Sequence, residues 1–579
     1  MRSSLIRGAA VSWLAMLAAD CVERRPAEPI VAPSAERAPS PPPRAAQADL
    51  TLSILGLNDL HGRLRALPAF GGYVTNLRRV RAADGGAVAL VDAGDMFQGT
   101  LESNLTEGAS VISAYRVLGM TVATLGNHEF DFGPVGDTSL GDPQGAIRQR
   151  IAEAPFPILS ANLVLRGSHA LPNWDKLQRS AIVTVGAVRV GFVGLLTRET
   201  PSIVNASCFV GLDVDELAPA LEREARALRG AGAEVVIGVA HAGADCGDYH
   251  DPNDLSSCTS DAEIFEVARA MPSGLVDAIF AGHSHAGVAQ IVNGIPIAEA
   301  FARGRAFSRI DLRLDGATHH ALSRQVFPPH DLCPKLADGG DCPLRDYEGQ
   351  KTVEDPQLIA AIAPALERVE ARRKVQLGSS LSEPFRGEHD RESPLGNLFA
   401  DLIREAVPGA DVAILNGGSL RADLPAGPLD YGALYEAMPF DNAVATVRMT
   451  GAELKRVLTE HLSHDAHGFI SLSGLRVDAR CGHSGLEVSL RRPSGRLVSD
   501  QETLLLATSD YLANGGDDLF SALRLTPDRI RIEPGSSFRD ALAGSVSHHP
   551  QLSPRDPARF NPKNPRLSTS TPRPVQCLH

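Results

Sequence analysis

The sequence lacks the features that mark nucleic-acid-binding, membrane-spanning and structural-zinc proteins. It has no excess of positive charge, because 56 Lys and Arg residues against 69 Asp and Glu residues give a formal net charge of −13. That balance disfavours a nucleic-acid polymer as a partner. The eight cysteines form no C-x-x-C pair, so a structural zinc site is not indicated. No segment reaches the roughly 20 apolar residues that a transmembrane helix needs, and internal repeats are absent.

The length and composition indicate a protein of several globular domains. At 579 residues the chain is too long for one hydrophobic core, and about two to four domains are expected. The hydrophobic content of 43% and the charged content of 22% are ordinary for soluble globular proteins. A nucleotide remains an acceptable ligand despite the net negative charge, because it needs only a local basic pocket.

The amino terminus has the pattern of an export signal. Arg2 and Arg7 supply a positive end, and residues 8–19 supply a short apolar core. The run LAADC ends in Cys21, as in bacterial lipoprotein signals, although Asp20 stands where those signals prefer Gly or Ala. We expect a signal peptide at residues 1–20 and a periplasmic, outer-membrane or cell-surface protein, which acylation of Cys21 would attach to a membrane. Residues 21–48 are rich in Pro and Ala and predict a disordered tether.

Two pairs of cysteines lie close together in loop-like sequence. Cys246 with Cys258, and Cys333 with Cys342, suit local disulfides in an oxidising compartment. The pairing of the remaining cysteines cannot be deduced from the sequence.

Strand-like runs alternate with helical patterns from residue 50 to about 314, which predicts an α/β fold. The β-branched run at 182–196 contains glycines and is better interpreted as a hairpin than as a helix. Residues 315–356 have an irregular pattern, and an amphipathic linking helix follows at 355–375 despite Pro364. A second α/β unit covers residues 377–547, and the Pro-rich residues 548–579 predict a disordered tail. The expected strands are residues 52–57, 87–91, 120–125, 157–161, 234–240 and 276–281, and the expected helices are 103–118, 213–229 and 261–269.

Five of these apolar runs end in groups that can bind a metal or transfer a proton. The carboxyl ends of strands are where open α/β sheets bind ligands. Imidazole and carboxylate donors together suit Zn, Mn or Fe better than Mg or Ca. One carboxylate, Asp95, could bridge two ions about 3.5–4 Å apart, a spacing that suits phosphate ester hydrolysis. The donors are Asp59 and His61 (SILGLNDLH), Asp95 (VALVDAGD), Asn127 (TLGNHEFDFG), His241 (VVIGVAH), and His283 and His285 (VDAIFAGHSH).

His128 and Asp131 have the spacing of a proton-donating pair. His128 follows Asn127 directly and therefore has to point away from the ion that Asn127 would bind. A protonated His beside the metals can donate a hydrogen bond to the leaving group or to a phosphoryl oxygen. Asp131 could hold the second ring nitrogen of His128 and keep the ring protonated. The roles of Glu129 and His250 are left open.

The second unit contains three loop-like clusters suited to a nucleotide. FRGEHDRESPLGNL carries Arg386 and Arg391, and guanidinium groups bind phosphate oxygens in a bidentate manner. Phe440 and Tyr511 are candidates for stacking on a flat base, and Asp517 is a candidate acceptor for ribose hydroxyls. The other two clusters are ILNGGSLRADLPAGPLDYGALYEAMPFDN and ATSDYLANGGDDLF.

Eight motifs stand in one order between about residues 50 and 540: NDLHG, GDMFQGT, GNHEFD, AHAG, GHSH, NGGSLR, PFDN and ANGGDD. In this order they resemble the 5′-nucleotidase family, which includes UDP-sugar hydrolases and 2′,3′-cyclic nucleotide phosphodiesterases. The resemblance implies an αββα-sandwich metallophosphoesterase domain at 49–318, a connecting region with the linking helix at 319–376, and a substrate-binding domain at 377–547. It also implies that one domain swings against the other.

The resemblance assigns roles residue by residue. One divalent ion would be bound by Asp59, His61, Asp95 and His285, and the other by Asp95, Asn127, His241 and His283. His128 and Asp131 would be catalytic. The substrate-binding residues would be Arg391, Asn416, Gly418, Arg421, Phe440, Tyr511 and Asp517. Departures from the family pattern occur at Ser419, Tyr511 and Asp518, so strict AMP specificity is not implied.

The sequence therefore predicts an exported two-metal hydrolase that converts 5′-nucleotides to nucleoside and phosphate with a metal-activated water as nucleophile. A phosphodiesterase or pyrophosphatase acting on 2′,3′-cyclic nucleotides, UDP-sugars or NAD is an alternative. A surface-binding lipoprotein without catalysis is another, and a thiosulfate-handling relative of the same fold is a third. Metal identity and oligomeric state are not predicted.

Overall fold

The structure is a computed structural model that describes residues 48–136, 141–204, 207–332, 344–440, 442–464, 468–482, 485–523, 525–526, 529–569 and 573–577. The expected signal peptide, the tether up to residue 47 and the Cys333/Cys342 pair lie outside these residues. In the described part of the chain no helix combines the length and apolarity needed to cross a bilayer.

The first part of the chain alternates strands and helices. Its helices are α1 (Leu67–Asp84), α2 (Leu101–Asn104), α3 (Ala109–Leu118), α4 (Gly145–Glu153), α5 (Thr200–Ile203), α6 (Leu217–Gly230) and α7 (Glu263–Ala270). Its strands are β1 (Leu50–Leu57), β2 (Ala87–Asp92), β3 (Val122–Thr124), β4 (Ile158–Leu159), β5 (Leu163–Leu165), β6 (Ser180–Val185), β7 (Val188–Leu196), β8 (Leu212–Val214), β9 (Val235–His241), β10 (Ala278–Ala281), β11 (Gly287–Val292), β12 (Ile295–Ala300), β13 (Ala306–Leu314) and β14 (Ala321–Asp331).

Two six-stranded sheets pack face to face in this part. Their strand orders are β14-β13-β1-β2-β3-β4 and β11-β12-β10-β9-β7-β6. Ile54 and Val91 from the first sheet meet Phe192, Ile237 and Phe280 from the second in one buried cluster. Helices α1, α3 and α4 cover the outer face of the first sheet, and α6 and α7 cover that of the second. This is the predicted αββα sandwich, and the predicted hairpin is β6–β7.

Two local predictions were wrong in this part. The helix expected at 103–118 is interrupted, because the chain turns between α2 and α3 at Gly108, which has a φ of 87°. The region expected to be irregular contains β14, which pairs antiparallel with β13. β14 is an edge strand that has no fully buried residue and contains Pro328 and Pro329, so it lacks the alternating apolar pattern of a central strand.

The linking helix is α8 (Pro356–Arg373), which begins where Asp355 accepts a hydrogen bond from the Gln357 amide at 2.8 Å. The second α/β part follows. Its helices are α9 (Pro394–Ala406), α10 (Tyr431–Ala437), α11 (Gly451–Ser463), α12 (Asp510–Ala513) and α13 (Phe538–Val546). Its strands are β15 (Gln376–Leu381), β16 (Val412–Asn416), β17 (Gly427–Asp430), β18 (Ala443–Thr450), β19 (Ile470–Ser473), β20 (Arg476–Gly482), β21 (Gly485–Arg491), β22 (Thr503–Ser509), β23 (Ile530–Ser537), β24 (Gln551–Leu552) and β25 (Leu567–Thr569).

A five-stranded sheet of order β19-β16-β22-β18-β23 forms the centre of the second part. Helices α9 and α13 pack together in one buried cluster on this sheet, and α11 belongs to a second cluster. β15 pairs with β17 and β24 in a small separate sheet.

The prediction of a disordered tail at 548–579 was wrong for the described residues. β24 pairs with β15, β25 pairs with β20, and Cys577 forms a disulfide with Cys481. The Arg566 guanidinium makes a bidentate ion pair with Asp401 on α9, at 2.7 and 2.9 Å. We call described residues 548–569 and 573–577 the C-terminal strap. Its order comes from contacts with residues far away in the chain, which leave no local periodic signal. The predicted Cys246–Cys258 disulfide is confirmed, and Cys208 is a buried free thiol.

Candidate metal centre and nucleotide site

The candidate metal ligands lie at the carboxyl ends of adjacent strands or just after them. β1, β2 and β3 are parallel neighbours in one sheet, and β9 and β10 are parallel neighbours in the other. The backbone of five of these residues is left-handed, a costly conformation for residues other than glycine that often marks functional sites. Their φ values are 48° for Asp59, 49° for His61, 54° for Asp95, 82° for His283 and 58° for His285.

The first group of donors comprises Asp59, His61, Asp95 and His285. Each offers one ligand atom, and these atoms all lie within 4.8 Å of one another. The Nε2 atoms of His61 and His285 are 3.0 Å apart, and His285 Nε2 lies 3.3 Å from Asp59 Oδ1. Asp59 and Asp95 are buried, whereas the His285 side chain is 42% exposed, so the group opens toward solvent on one side.

The second group shares Asp95 with the first. Asp95, His241 and His283 also place their ligand atoms within 4.8 Å of one another. His241 Nε2 lies 3.2 Å from Asp95 Oδ2 and 3.0 Å from Asn127 Oδ1. The structure therefore brings together all seven residues that the sequence proposed as ligands, with Asp95 between the two groups.

The hydrogen bonds behind these donors suit cation binding. His61 Nδ1 donates to the Gln98 carbonyl at 2.7 Å, and His241 Nδ1 donates to the Ala93 carbonyl at 2.8 Å. Because a carbonyl can only accept, the Nε2 atom of each neutral ring carries the lone pair and faces the site. The buried Oδ1 of Asp59 receives no backbone amide hydrogen bond from the described residues and faces His285 Nε2 at 3.3 Å. This arrangement of inward-facing lone pairs fits divalent cations.

His128 and Asp131 form the predicted pair. His128 Nδ1 lies 2.5 Å from Asp131 Oδ2, and the His128 ring centroid is 5.2 Å from that of His61. Burial alone would lower the pKa of His128, but the carboxylates of Asp131 and Asp95 raise it to about 9. The His128 imidazole is therefore cationic at neutral pH in the metal-free protein and can donate a hydrogen bond through Nε2.

Glu129, whose role the sequence left open, connects two of the ligand loops. Its carboxylate accepts hydrogen bonds from the amides of Gly126, Asp95, Met96 and Phe97 at 2.6, 2.9, 2.7 and 3.1 Å. These bonds tie the loop after β2 to the loop after β3, and so fix Asp95 relative to Asn127.

Glu299 was missed by the sequence analysis. It is fully buried on β12, where its carboxyl group lies 2.7 Å from Ser284 Oγ and accepts from the Ala244 amide at 3.2 Å. Ser284 stands between His283 and His285, and Ala244 follows the loop of His241, so Glu299 joins the loops of three candidate ligands. Burial and the nearby Asp59 raise the pKa of Glu299 to about 8. The only available signal was one acidic residue within the apolar run IPIAEA.

In the second part, three of the residues expected to bind the substrate form a hydrogen-bonded network together with Ser419. Asn416 Nδ2 donates to Asp517 at 2.7 Å, and Tyr511 OH donates to the other Asp517 oxygen at 2.8 Å. Ser419 Oγ donates to Asn416 Oδ1. A Cβ on Gly516 would approach the Tyr511 ring to 2.5 Å, so this glycine allows the ring to lie against the backbone. Two departures from the family pattern, Ser419 and Tyr511, thus hold Asn416 and Asp517 in place.

The other residues expected to bind the substrate lie outside this hydrogen-bonded network. The Arg421 guanidinium is 5.0 Å from the centroid of the Phe440 ring, a cation–π arrangement. Arg391 is exposed and makes an ion pair with Glu388 at 3.1 Å. Gly418 lies in the short 3₁₀ helix Gly417–Ser419 that follows β16.

Two family models match the chain. The calcineurin-like phosphoesterase model matches residues 52–287, and the model of the 5′-nucleotidase C-terminal domain matches residues 375–524. Protein UshA of Yersinia enterocolitica is 25% identical over 547 residues, which cover 88% of this chain and 93% of that protein.

Solved structures support the same fold. The 5′-nucleotidase precursor from Thermus thermophilus has a TM-score of 0.63 at 22% identity and covers 90% of this chain and 99% of its own. The NAD nucleotidase from Haemophilus influenzae has a TM-score of 0.50 at 19% identity, with coverage of 90% and 100%.

The first sandwich and its donor groups define a metallophosphoesterase, a class of hydrolases that use divalent metals. Together the two models match more than half of the chain in the expected order. The chain belongs to the 5′-nucleotidase family.

Proposed function

We propose that this protein is exported and hydrolyses 5′-nucleotides to nucleoside and phosphate with two divalent ions, Zn, Mn or similar. The observation that carries the proposal is the convergence of seven donors into two groups that share Asp95. Asp59, His61, Asp95 and His285 would bind one ion. Asp95, Asn127, His241 and His283 would bind the other. When bound, such ions supply a nucleophilic water near neutral pH and neutralise phosphoryl charge.

His128 is proposed as the group that stabilises the transition state. Its Nδ1 is held by Asp131, so Nε2–H is directed elsewhere and is available to a phosphoryl or leaving-group oxygen. The ion pair with Asp131 keeps the imidazole in the charged form that such a donor requires. Asp131 acts through His128 and is proposed as a positioning residue.

The second part is proposed to bind the substrate. Arg391 and Arg421 would contact phosphate oxygens, and Phe440 and Tyr511 would flank the base. Asp517 would contact the ribose, and Asn416 and Gly418 would complete the site. Because Asp517 accepts from both Tyr511 and Asn416, it is held in one orientation before a ribose binds. Rotation of this part about α8 would close substrate onto the ions.

A phosphodiesterase or pyrophosphatase is the second candidate function. Its support is the relatives themselves, one of which is a trifunctional nucleotide phosphoesterase protein of Bacillus subtilis. A periplasmic or cell-surface location, with membrane attachment through an acylated Cys21, also belongs to the proposal.

The test combines metal analysis with phosphate release. Purified protein loaded with Mn or Zn would be assayed for phosphate release from AMP and, by chromatography of the nucleotide products, for cleavage of UDP-glucose and 2′,3′-cyclic AMP, with bound metal counted by mass spectrometry. We expect two ions per chain and phosphate release from AMP. Asp95→Asn should lose metal and turnover together, whereas the exposed control Asp175→Asn should lose neither. Cleavage of UDP-glucose or 2′,3′-cyclic AMP without phosphate release from AMP would favour the second candidate, and cleavage of none of the three would favour a non-catalytic surface protein.

A further inference from the structure

The loop that precedes α9 carries Arg391 and has no regular secondary structure. We call residues 386–393 the arginine loop. The Arg391 side chain is 70% exposed, and its ion pair with Glu388 at 3.1 Å lies within the same loop. An irregular, exposed loop has many accessible conformations unless contacts with other elements restrict it. The position of Arg391 therefore depends on the contacts that hold the arginine loop.

One side of the arginine loop is held by the turn that follows Asn416. His389 Nδ1 donates to the Gly417 carbonyl at 3.0 Å, and the His389 carbonyl accepts from the Phe469 amide at 2.7 Å. The Gly417 amide donates to the Phe469 carbonyl at 2.6 Å. A Cβ on Gly417 would approach the His389 carbonyl oxygen to 2.9 Å, so glycine permits this close contact. Because Asn416 donates to Asp517, these bonds connect the arginine loop to the hydrogen-bonded network around Asp517.

The other side of the arginine loop is held by the C-terminal strap, through the carboxylate of Glu392. One oxygen of Glu392 accepts from the Arg566 amide at 2.7 Å, and the other accepts from Asn397 Nδ2 at 2.7 Å. Asn397 is buried on α9, and it also donates to the Arg559 carbonyl of the strap at 2.8 Å. Both Glu392 oxygens thus bind the loop to residues outside it. The model of the 5′-nucleotidase C-terminal domain ends at residue 524, so the strap lies beyond the matched residues.

We propose that Glu392 is a positioning residue, which uses the strap and α9 to hold Arg391 where it meets the substrate phosphate. The inference rests on the proposed function, in which Arg391 contacts that phosphate. Glu392 and Arg391 are adjacent in the chain. The Glu392 carboxylate is bonded to the strap and to α9, whereas the Arg391 guanidinium remains exposed to a ligand. A loop that is held in place before the substrate arrives loses less conformational entropy on binding.

A double-mutant cycle in the metal-loaded full-length protein tests this role. The kcat/KM for AMP is compared in the wild type, Glu392→Ala, Arg391→Ala and the double variant. Glu392→Ala should lower kcat/KM by about five-fold or more, as expected when hydrogen bonds to a charged group are lost. In the Arg391→Ala background the same substitution should change kcat/KM by less than about two-fold, because Glu392 acts through Arg391. Dissociation constants of AMP from calorimetric titration give the same comparison without turnover.

Adenosine binding separates positioning from a general loss of structure. Adenosine has no phosphate, so its affinity should stay within about two-fold in Glu392→Ala. Glu392→Gln keeps the size of the side chain but has one oxygen, which cannot serve both the strap and α9, so its kcat/KM should lie between those of the wild type and Glu392→Ala. Glu383→Gln is the matched control. Glu383 also contacts the strap, through Arg555 at 2.7 Å, but this ion pair is exposed and lies outside the arginine loop, so kcat/KM should stay within about two-fold.

An unchanged kcat/KM in Glu392→Ala, with Arg391→Ala impaired, would overturn the inference and leave the proposed function standing. Equal losses from Glu392→Ala in the two backgrounds would overturn it as well, because the two residues would then act independently. An equal weakening of AMP and adenosine binding would show a purely structural role and have the same consequence. A wild-type protein that binds AMP but releases no phosphate would instead reject the proposed function, and the dissociation constants would still decide the role of Glu392.

Discussion

The ion pair between Arg566 and Asp401 should determine how tightly the C-terminal strap is held. The side chains of Arg566 and Asp401 are only 13% and 12% exposed, and Arg566 also donates to the Leu472 carbonyl at 2.7 Å. Arg566→Ala leaves the Asp401 carboxylate buried with Ser473 Oγ at 2.6 Å and Arg559 at 3.4 Å. Removing one partner of a buried ion pair costs about 3–5 kcal/mol, and these remaining donors favour the lower end. A loss of about 3 kcal/mol raises the population of the open strap by roughly 150-fold.

Native-state proteolysis measures this opening directly. Phe560 is the single aromatic residue of the strap, so chymotrypsin cleavage there reports the opened state when closing is fast relative to cleavage. Intact mass after reduction of the Cys481–Cys577 disulfide would reveal the cut. We expect cleavage of Arg566→Ala to be faster than that of the wild type by about two orders of magnitude.

Arg555→Ala provides the control, because the side chains of Arg555 and Glu383 are 79% and 40% exposed. Exposed ion pairs contribute about 0–1 kcal/mol, so cleavage should rise by no more than about five-fold. Equal cleavage rates for Arg566→Ala and Arg555→Ala would refute the view that this buried pair holds the strap.

Three further predictions concern the metal centre. His128→Asn should lower turnover by a factor of about 10²–10⁴, while the metal content measured by mass spectrometry stays the same. The control is His169→Asn, because His169 is exposed and pairs with Asp215 at 2.7 Å. Chelation with EDTA should lower the thermal unfolding midpoint, and added Mn or Zn should restore it, because ions that bind only the folded state stabilise it; an unchanged midpoint would argue against binding. Glu299, with its pKa raised to about 8, should make the metal-free protein lose stability as pH rises from about 5 to 8. The Gln side chain of Glu299→Gln cannot ionise, so the thermal unfolding midpoint of this variant should rise relative to that of the wild type as the pH rises over this range. A difference in midpoint that does not change with pH would contradict the raised pKa of Glu299.

Much of the fold and of the candidate metal centre could be predicted from the sequence, because both depend on short-range patterns. Apolar runs of strand length indicated β1, β2, β9 and β10, and the donors that follow them were visible as fragments such as Asp59-x-His61. Parallel strands present their carboxyl ends at one edge of a sheet, so donors that follow neighbouring strands have to converge. The order of the motifs then indicated the family.

The tertiary structure decided what depends on contacts between distant residues. Glu129 and Glu299 act through hydrogen bonds to other loops. The spacing of residues along the sequence does not predict such a role. The strap becomes ordered through partners such as Glu392, which is 174 residues from Arg566, and through a disulfide between cysteines 96 residues apart. A polar, Pro-rich segment buries little surface by itself, so its order is determined by the surface that it meets rather than by its own pattern.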